Sequence, residues 1–294
     1  MAAERKSQGR QSGSSSFRRM VQSMNTPMSG PSESESTPTF IPPDSEWIHS
    51  HYFTVPEQIA YFCGEIRGSR VLDVGCGEML SDFGLLPLGV QHLTGLDLAG
   101  KRNVDLANVS DRLRSHGISV SPDYASRLLY VGYDGLHFPF PNESFDVIVS
   151  WSAFEHVADV PQVLREIKRV SCRGARVFLQ VYPWYHCLLG SHLTDFISEP
   201  YFHLKRPPEW VLQRLNEYVE EHPEKRDFVL GHMWQEYQSL NRYSANRFYA
   251  DLIAAGFTVQ KAVTTTYEQN LTEAPRDIPL ADLMIYETKM LLRP

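Results

Sequence analysis

Hydrophobic and polar positions alternate along the chain in blocks that predict short buried strands separated by amphipathic helices. The clearest helix covers residues 160–170, where Val160, Val163, Leu164 and Ile167 recur at helical spacing and trace one apolar face. Strands are predicted from short, nearly continuous apolar runs, which are typical of parallel strands buried on both faces. These runs cover residues 70–74, 92–99, 128–131, 145–150 and 177–181, a run after Gly256, and a final run within 282–294.

The order of these elements predicts the fold class. Strand and helix alternate at least four times, which indicates an α/β protein with a doubly wound, mostly parallel sheet and helices on both faces. Residues 185–240 break this rhythm, because they are rich in Trp, Tyr, His and Pro and show no strand pattern. We therefore predict a Rossmann-like sheet with a helical, aromatic insertion after its fifth strand.

The first 44 residues differ from the rest of the chain. They are rich in Ser, Gly, Pro and Thr and lack a periodic apolar pattern, so they are predicted to be a disordered tail. The tail has several arginines but lacks the apolar segment of a secretory signal. The predicted organisation is a tail over residues 1–44 and one domain over 45–294, in which residues 183–240 form the insertion.

The composition of the chain argues against several classes of partner and site. The net charge of -7 and the pI of about 5.9 argue against a partner such as nucleic acid or an anionic membrane, because both call for a basic surface. No apolar run approaches about 18 residues, so no membrane-spanning helix and no integral membrane contact are expected. The four cysteines form no CxxC pair and lie at no metal-ligand spacing to a histidine. We expect free thiols in a reducing, cytoplasmic compartment and no metal site.

The stretch RVLDVGCGEML, residues 70–80, is the first candidate for a ligand-binding site. Asp73 ends a predicted strand, and the glycines at 75 and 77 let a ligand approach the main chain. In such sheets, ligands bind past the carboxyl ends of the strands. Asp97 lies 24 residues after Asp73, at the end of the next strand, where it can accept hydrogen bonds from both hydroxyls of a ribose. Together these residues predict a nucleoside-bearing cofactor.

The glycine pattern separates two classes of cofactor. A dinucleotide site requires G-x-G-x-x-G, and Leu80 replaces the third glycine here. Asp73 stands two residues before Gly75, where a carboxylate would face phosphates poorly and would suit a cationic ligand. An adenosyl sulfonium with an amino acid tail is cationic, so it suits the negative charge of Asp73 better than a dinucleotide does. A nicotinamide-dependent dehydrogenase is the less favoured alternative.

Five segments, in order, resemble class I S-adenosylmethionine-dependent methyltransferases. The resemblance covers roughly residues 68–182 and 241–294, and it departs from the family at Met79, where a third glycine is common, and at residues 172–174, which replace Pro-Gly-Gly. The segments are VLDVGCG for the first motif, LTGLDLA for the second, VGYDGLHFPFPNESFDVIVSWSAFEHVAD for the adenine-side acid and fourth strand, VLREIKRVSCRGARVFLQV for the next helix and strand, and LIAAGF before the last hairpin.

The resemblance implies a seven-stranded sheet with an antiparallel final strand and S-adenosylmethionine bound over the ends of the first two strands. By this analogy Asp73 and the backbone of residues 75–77 neighbour the methionine portion, and Asp97 holds the ribose hydroxyls. Asp134 and Gly135 border the adenine. The predicted cofactor site comprises Asp73, Gly75, Cys76, Gly77, Asp97, Leu98, Asp134, Gly135, Ser150 and Trp151.

Three residues are candidates for catalysis. Methyl transfer from a sulfonium needs alignment and desolvation, and a hydroxyl or carbon acid also calls for a general base. Glu155 and His156 follow the fourth strand, in an FEH sequence that resembles cyclopropane fatty acid synthases and related N-methyltransferases. His192 lies in the insertion, where the family places specificity segments. The alternative is that Glu155 caps a helix and that both histidines are packing residues.

The leading hypothesis is therefore an S-adenosylmethionine-dependent methyltransferase acting on an O, N or C atom of a small-molecule, lipid or glycan-type acceptor. In this hypothesis the insertion at residues 183–240 serves as a substrate cap. The alternative is a non-catalytic S-adenosylmethionine-binding scaffold or regulatory protein of the same fold.

Overall fold

A computed structural model describes residues 43–100 and 104–294. The strands are β1 (Arg70–Val74), β2 (His92–Leu98), β3 (Leu128–Tyr133), β4 (Phe145–Trp151), β5 (Ser171–Val181), β6 (Thr258–Thr266) and β7 (Ile285–Arg293). They form one sheet of seven strands in the order β3-β2-β1-β4-β5-β7-β6. Neighbours among β1 to β5 pair in parallel, whereas β7 is antiparallel to both β5 and β6. The predicted seven-stranded sheet with an antiparallel final strand is confirmed.

Helices cover both faces of the sheet. They are α1 (Pro43–His49), α2 (Val55–Cys63), α3 (Leu80–Leu85), α4 (Leu106–Ser115), α5 (Tyr124–Arg127), α6 (Val160–Val170), α7 (Phe202–Lys205), α8 (Pro208–Glu221), α9 (Trp234–Ser239), α10 (Ala245–Ala254) and α11 (Leu280–Met284). A π-helical turn at Ser50–Thr54 joins α1 to α2, and a second one precedes α9 at Asp227–Met233. Short 3-10 turns occur at Leu86–Leu88, Phe154–His156 and Pro223–Lys225.

Two apolar layers hold these helices to the sheet. On one face, Leu164 of α6 and Phe248 of α10 pack with Leu179 of β5 in a fully buried cluster. On the other face, Phe62 of α2 and Phe83 of α3 belong to a second cluster with residues of β1 and β4. Because both faces of the central strands are covered, those strands are apolar at nearly every position, as parallel strands usually are.

The insertion after β5 has a core of its own. Tyr185, Leu193, Phe202, Leu215 and Tyr237 are buried together in a third apolar cluster, which α7, α8 and α9 enclose. The described part of this segment contains helices and turns but no strand, as predicted for a helical, aromatic insertion.

The predicted tail lies almost wholly outside the described residues, since α1 begins at Pro43.

All four cysteines are free thiols. Across residues 43–100 and 104–294, none of the helices combines the length and apolar character that spanning a bilayer would require.

Candidate functional site

The turn after β1 lies at the switch point of the sheet, because β2 and β4 flank β1 and lead to opposite edges. The N–H groups of Gly75 and Cys76 both donate to the carbonyl of Leu96 in β2, at 2.7 and 3.3 Å. Gly75 has a φ of 80°, and a Cβ built on it would lie 2.3 Å from the Cβ of Ala153. Only glycine allows the turn to pack this closely against the segment that follows β4.

Gly77 gives the same turn an open backbone. Its φ is 55°, and no atom lies within 4 Å of the position that a Cβ would occupy. Its N–H donates to Oδ2 of Asp97 at 2.8 Å, while Oδ1 of Asp97 accepts from the N–H of Leu98 at 2.7 Å. Each carboxylate oxygen has further acceptor capacity, so Asp97 can bind a ligand while it ties the turn to the end of β2.

Met79 occupies a left-handed conformation, with a φ of 62°, at the position where the family often has glycine. Its side chain is fully buried and packs on Gly95, as does the sulfur of Cys76. Burial of the methionine side chain offsets the backbone strain, which is about 1–2 kcal/mol for a residue with a Cβ. Burial also raises the pKa of the Cys76 thiol well above its ordinary value, so Cys76 is a neutral packing residue.

A pair of buried carboxyl groups lies beneath the turn. Asp73 of β1 and Asp82 of α3 are both buried, and no hydrogen-bond partner for Oδ1 of Asp73 is found among the described residues. Burial, and after it the repulsion from neighbouring carboxylates, raises the pKa of both groups. A cation at the turn would relieve this repulsion, so the electrostatics suit a positively charged ligand. The sequence-based prediction included Asp73 but missed Asp82.

Replacing Asp82 with asparagine is expected to stabilise the ligand-free protein at pH 8, because it removes one of two buried carboxyl groups that repel each other when ionised. A carboxyl group with a raised pKa in the folded state keeps a proton that the unfolded chain has lost above about pH 4. The free energy of unfolding of the wild type therefore falls as the pH rises above about 4. Urea denaturation at pH 5 and pH 8 measures the free energy of unfolding of the wild type and of the variant.

The advantage of the Asp82→Asn variant should shrink towards pH 5, where the wild-type pair retains its protons. Asp111→Asn, at an exposed position beside Arg114, is the matched control and should show no such gain. An equal effect of Asp82→Asn at both pH values would contradict the assignment of repulsion to this pair.

Asp134 and Gly135 form a tight turn after β3. Oδ1 of Asp134 accepts from the N–H groups of Leu136 and His137 at 2.8 and 2.7 Å, and Oδ2 lies 2.9 Å from Nδ1 of His137. The contact with the His137 side chain, followed by these backbone hydrogen bonds, lowers the pKa of Asp134 to about 2. Leu98 lies beside Gly135 and is 39% exposed, so the two offer an apolar surface next to an ionised acid.

Ser150 and Trp151 make contacts that belong to the sheet. The hydroxyl of Ser150 is buried and donates to the carbonyl of Val74 at 2.7 Å, which holds the ends of β1 and β4 together. Trp151 stacks on Phe178 with 6.2 Å between ring centroids, and Nζ of Lys289 lies 5.4 Å from the Trp151 ring. The Ser150 side chain thus shapes the predicted cofactor site through the backbone of β1.

The structure brings the three candidate catalytic residues together. One nitrogen or oxygen atom from each of Glu155, His156 and His192 lies within 4.8 Å of the others, and the two imidazole rings are 5.6 Å apart. Glu236 of α9 joins them, with its Oε2 3.4 Å from Nε2 of His156. We call these four residues the Glu–His cluster. Glu236 was missed by sequence-based prediction, since nothing in the apolar pattern links the insertion to the end of β4.

His192 is held as a neutral base. It adopts the left-handed conformation, with a φ of 59°, and its Nε2 is shielded from solvent with no hydrogen-bond partner in the described part of the chain. Burial, and after it the neighbouring His156, lowers the pKa of His192 to about 4. An imidazole that is neutral at physiological pH keeps a lone pair for a proton or a metal ion.

Asn241 fixes the turn that carries Glu155 and His156. Its side-chain amide donates to the carbonyls of Phe154 and Val157 at 2.6 and 2.8 Å, and its backbone N–H donates to the carbonyl of Glu155 at 2.9 Å. The chain reaches Asn241 directly from α9, so the end of the insertion is tied to the segment after β4.

Comparisons with known proteins find similarity to methyltransferases. Residues 72–179 match the family described as a methyltransferase domain. Sterol 24-C-methyltransferase erg6 of Schizosaccharomyces pombe is 34% identical over 136 residues, which are 46% of this chain and 32% of the relative. Methyltransferase GfsG of Streptomyces halstedii is 36% identical over 115 residues, 37% of this chain and 36% of the relative.

The chain spans about a third of the length of these curated relatives. Among solved structures, an S-adenosylmethionine-dependent methyltransferase from Mesorhizobium loti is 17% identical with a TM-score of 0.49, and the alignment covers 81% of this chain and 96% of that chain.

Proposed function

We propose that the chain is a class I S-adenosylmethionine-dependent methyltransferase, which transfers a methyl group from S-adenosylmethionine to a small-molecule acceptor. The match of residues 72–179 to the methyltransferase-domain family supports this proposal. The acceptor atom is O, N or C, and the acceptor is a metabolite, a lipid or a glycan-type molecule.

The residues at the turn after β1 fit this cofactor. The cationic methionine portion would favour the ionised form of the buried Asp73 carboxyl group, and the open backbone at Gly77 allows close approach. Asp97 accepts from the ribose hydroxyls, while the apolar surface of Leu98 and Gly135 borders the adenine. When bound, the cofactor supplies a methyl group that its sulfonium already activates.

The protein's own part in the reaction is alignment and proton removal. Ala153 packs on Gly75, so the Glu–His cluster, which begins two residues later in the chain, lies beside the cofactor turn. His192 has a lone pair that can take the proton of an acceptor hydroxyl, and Glu155 can stabilise the resulting imidazolium. The insertion reaches this site through His192 and Glu236, so it would border the bound acceptor.

One observation carries the proposal. At the carboxyl ends of β1 and β2, the open backbone at Gly77 lies next to the acid Asp97 and the buried carboxyl group of Asp73, and the turn packs against the segment that holds the Glu–His cluster. Each of these features alone has structural explanations, but their meeting at the switch point is what a ligand site of this fold requires.

Incubation of the protein with methyl-labelled S-adenosylmethionine and fractionated metabolite, lipid and glycan extracts is the direct test. We expect one fraction to yield a product that carries the labelled methyl, formed together with an equal amount of S-adenosylhomocysteine, as read by mass spectrometry. Binding of S-adenosylmethionine by calorimetry, without transfer in any fraction, would instead favour a cofactor-binding scaffold. Absence of binding would overturn both.

A further inference from the structure

We propose that Glu155, His156, His192 and Glu236 form a binding site for one divalent transition-metal ion. The site lies between the turn after β4, the segment after β5 and helix α9, so it is built from three separate parts of the fold. No metal site was expected from the sequence, because the cysteine and histidine spacing showed none.

Three of the side chains converge at a distance suited to a metal, and Glu236 contacts one of them. The donor atoms of Glu155, His156 and His192 lie within 4.8 Å of one another, and Nε2 of His156 is 3.4 Å from Oε2 of Glu236. Zinc binds histidine nitrogen and carboxylate oxygen at about 2.0–2.2 Å, so its ligand atoms are about 3–4 Å apart. Small rotations of the side chains would bring the cluster to these distances.

Hydrogen bonds determine which nitrogen of His156 faces the cluster. The hydroxyl of Ser239 donates its hydrogen to the carbonyl of Glu236 at 2.8 Å. Nδ1 of His156 lies 2.7 Å from that hydroxyl oxygen and donates to it in the tautomer that carries its proton on Nδ1. In the neutral ring the lone pair is then on Nε2, which points towards Glu236. This orientation, with the far nitrogen fixed by a hydrogen bond, is typical of metal-binding histidines.

His192 supplies the second nitrogen. Its Nε2 is buried and has no hydrogen-bond partner in the described structure, and an unsatisfied buried nitrogen is destabilising unless something binds it. The left-handed backbone at His192, with a φ of 59°, is a strained conformation that directs the side chain into the cluster.

The chemical types of the four protein ligands favour some metal ions over others. Two imidazole nitrogens and two carboxylates suit Zn²⁺, Mn²⁺ or Fe²⁺ better than Mg²⁺, which prefers oxygen ligands and water. Resting on the proposed function, such an ion beside the cofactor turn would bind the acceptor through oxygen and would acidify its hydroxyl group. We therefore place the acceptor among molecules that bear a hydroxyl or carboxylate group at the methylated position. In the metal-bound protein His192 would be a ligand and not the base.

Titration of the metal-free full chain with Zn²⁺ tests the site, with a competing chelator to define the affinity. We expect one Zn²⁺ per chain, and an affinity at least roughly tenfold lower in His192→Asn and in the isosteric Glu155→Gln variant. His222→Ala is the matched control, because His222 is an exposed histidine 3.9 Å from Glu224 and should leave binding unchanged. Circular dichroism and thermal unfolding establish that each variant is folded.

Substitution with Co²⁺ distinguishes the ligands, since the chain has four free thiols. A d–d spectrum without a thiolate-to-metal charge-transfer band supports histidine and carboxylate ligation. A charge-transfer band, no stoichiometric binding, or equal affinity in the wild type, His192→Asn and Glu155→Gln would overturn the site. The titration contains neither S-adenosylmethionine nor acceptor, so its failure is distinct from failure of the proposed function. A labelled methyl found on nitrogen or carbon would overturn the acceptor class alone.

Discussion

Replacement of Asp97 with alanine is expected to weaken S-adenosylmethionine binding roughly a hundredfold or more. Hydrogen bonds to a charged group are worth about 1.5–3 kcal/mol each, and the variant loses two from the ribose, or about 3–6 kcal/mol in total. Each factor of ten in affinity corresponds to about 1.4 kcal/mol. The variant also loses the contact from the Gly77 N–H to Oδ2, which holds the cofactor turn in place. Isothermal titration calorimetry measures the dissociation constant directly.

Two further variants test whether the loss of affinity comes from the charge of Asp97 and from its position at the cofactor turn. Asp97→Asn keeps the side-chain size and one acceptor oxygen, so its affinity should fall between those of the wild type and the alanine variant. Asp111→Ala removes an exposed acid that pairs with Arg114 and should change nothing. A dissociation constant for Asp97→Ala close to that of the wild type would remove Asp97 from the cofactor site.

Replacement of Gly75 with alanine is expected to destabilise the protein by about 2–5 kcal/mol and to abolish cofactor binding. The new methyl group would lie 2.3 Å from the Cβ of Ala153, a separation that no packed structure tolerates. Overpacking of this kind destabilises by about 1–3 kcal/mol, and the positive φ adds about 1–2 kcal/mol for a residue with a Cβ. Urea denaturation gives the free energy of unfolding, and calorimetry gives the cofactor affinity.

A double variant isolates the steric part of this effect. Gly75→Ala combined with Ala153→Gly removes the opposing methyl group and should recover the overpacking part of the loss. Gly77→Ala has a positive φ but no neighbouring atom within 4 Å, so it should show only the backbone part. If the double variant were no more stable than Gly75→Ala, contact with Ala153 would not be the cause.

Much of the sheet could be predicted from the sequence because its signals are local. The strand β1 was predicted with its observed bounds, because its apolar run ends at a glycine turn. The acids at positions 73 and 97 were identified for the same reason, since each stands at or near the end of a strand. Their proposed roles still depend on the family resemblance and on the tests above.

The remaining parts of the site depend on contacts between distant segments. Asp82 stands in the first turn of a short helix, and its position beneath the cofactor turn follows from packing against β1. An acid within the otherwise apolar run LSDFGL could have drawn attention to it. Glu236 meets His156 only because α9 folds back over the segment after β4, a path that no periodicity reveals. Met79 departs from the glycine pattern because its side chain is needed in the core.

The hydrogen bonds of Asn241 to the turn of Glu155 and His156 have a consequence for how the substrate specificity of this protein could change. Helix α9 supplies Glu236 and Ser239, and Asn241 anchors the adjoining turn of Glu155 and His156. On the proposed function, a chimaera that exchanged this insertion for that of a homologue would therefore alter reactivity together with substrate choice. A graft of new specificity would then have to carry its own reactive groups.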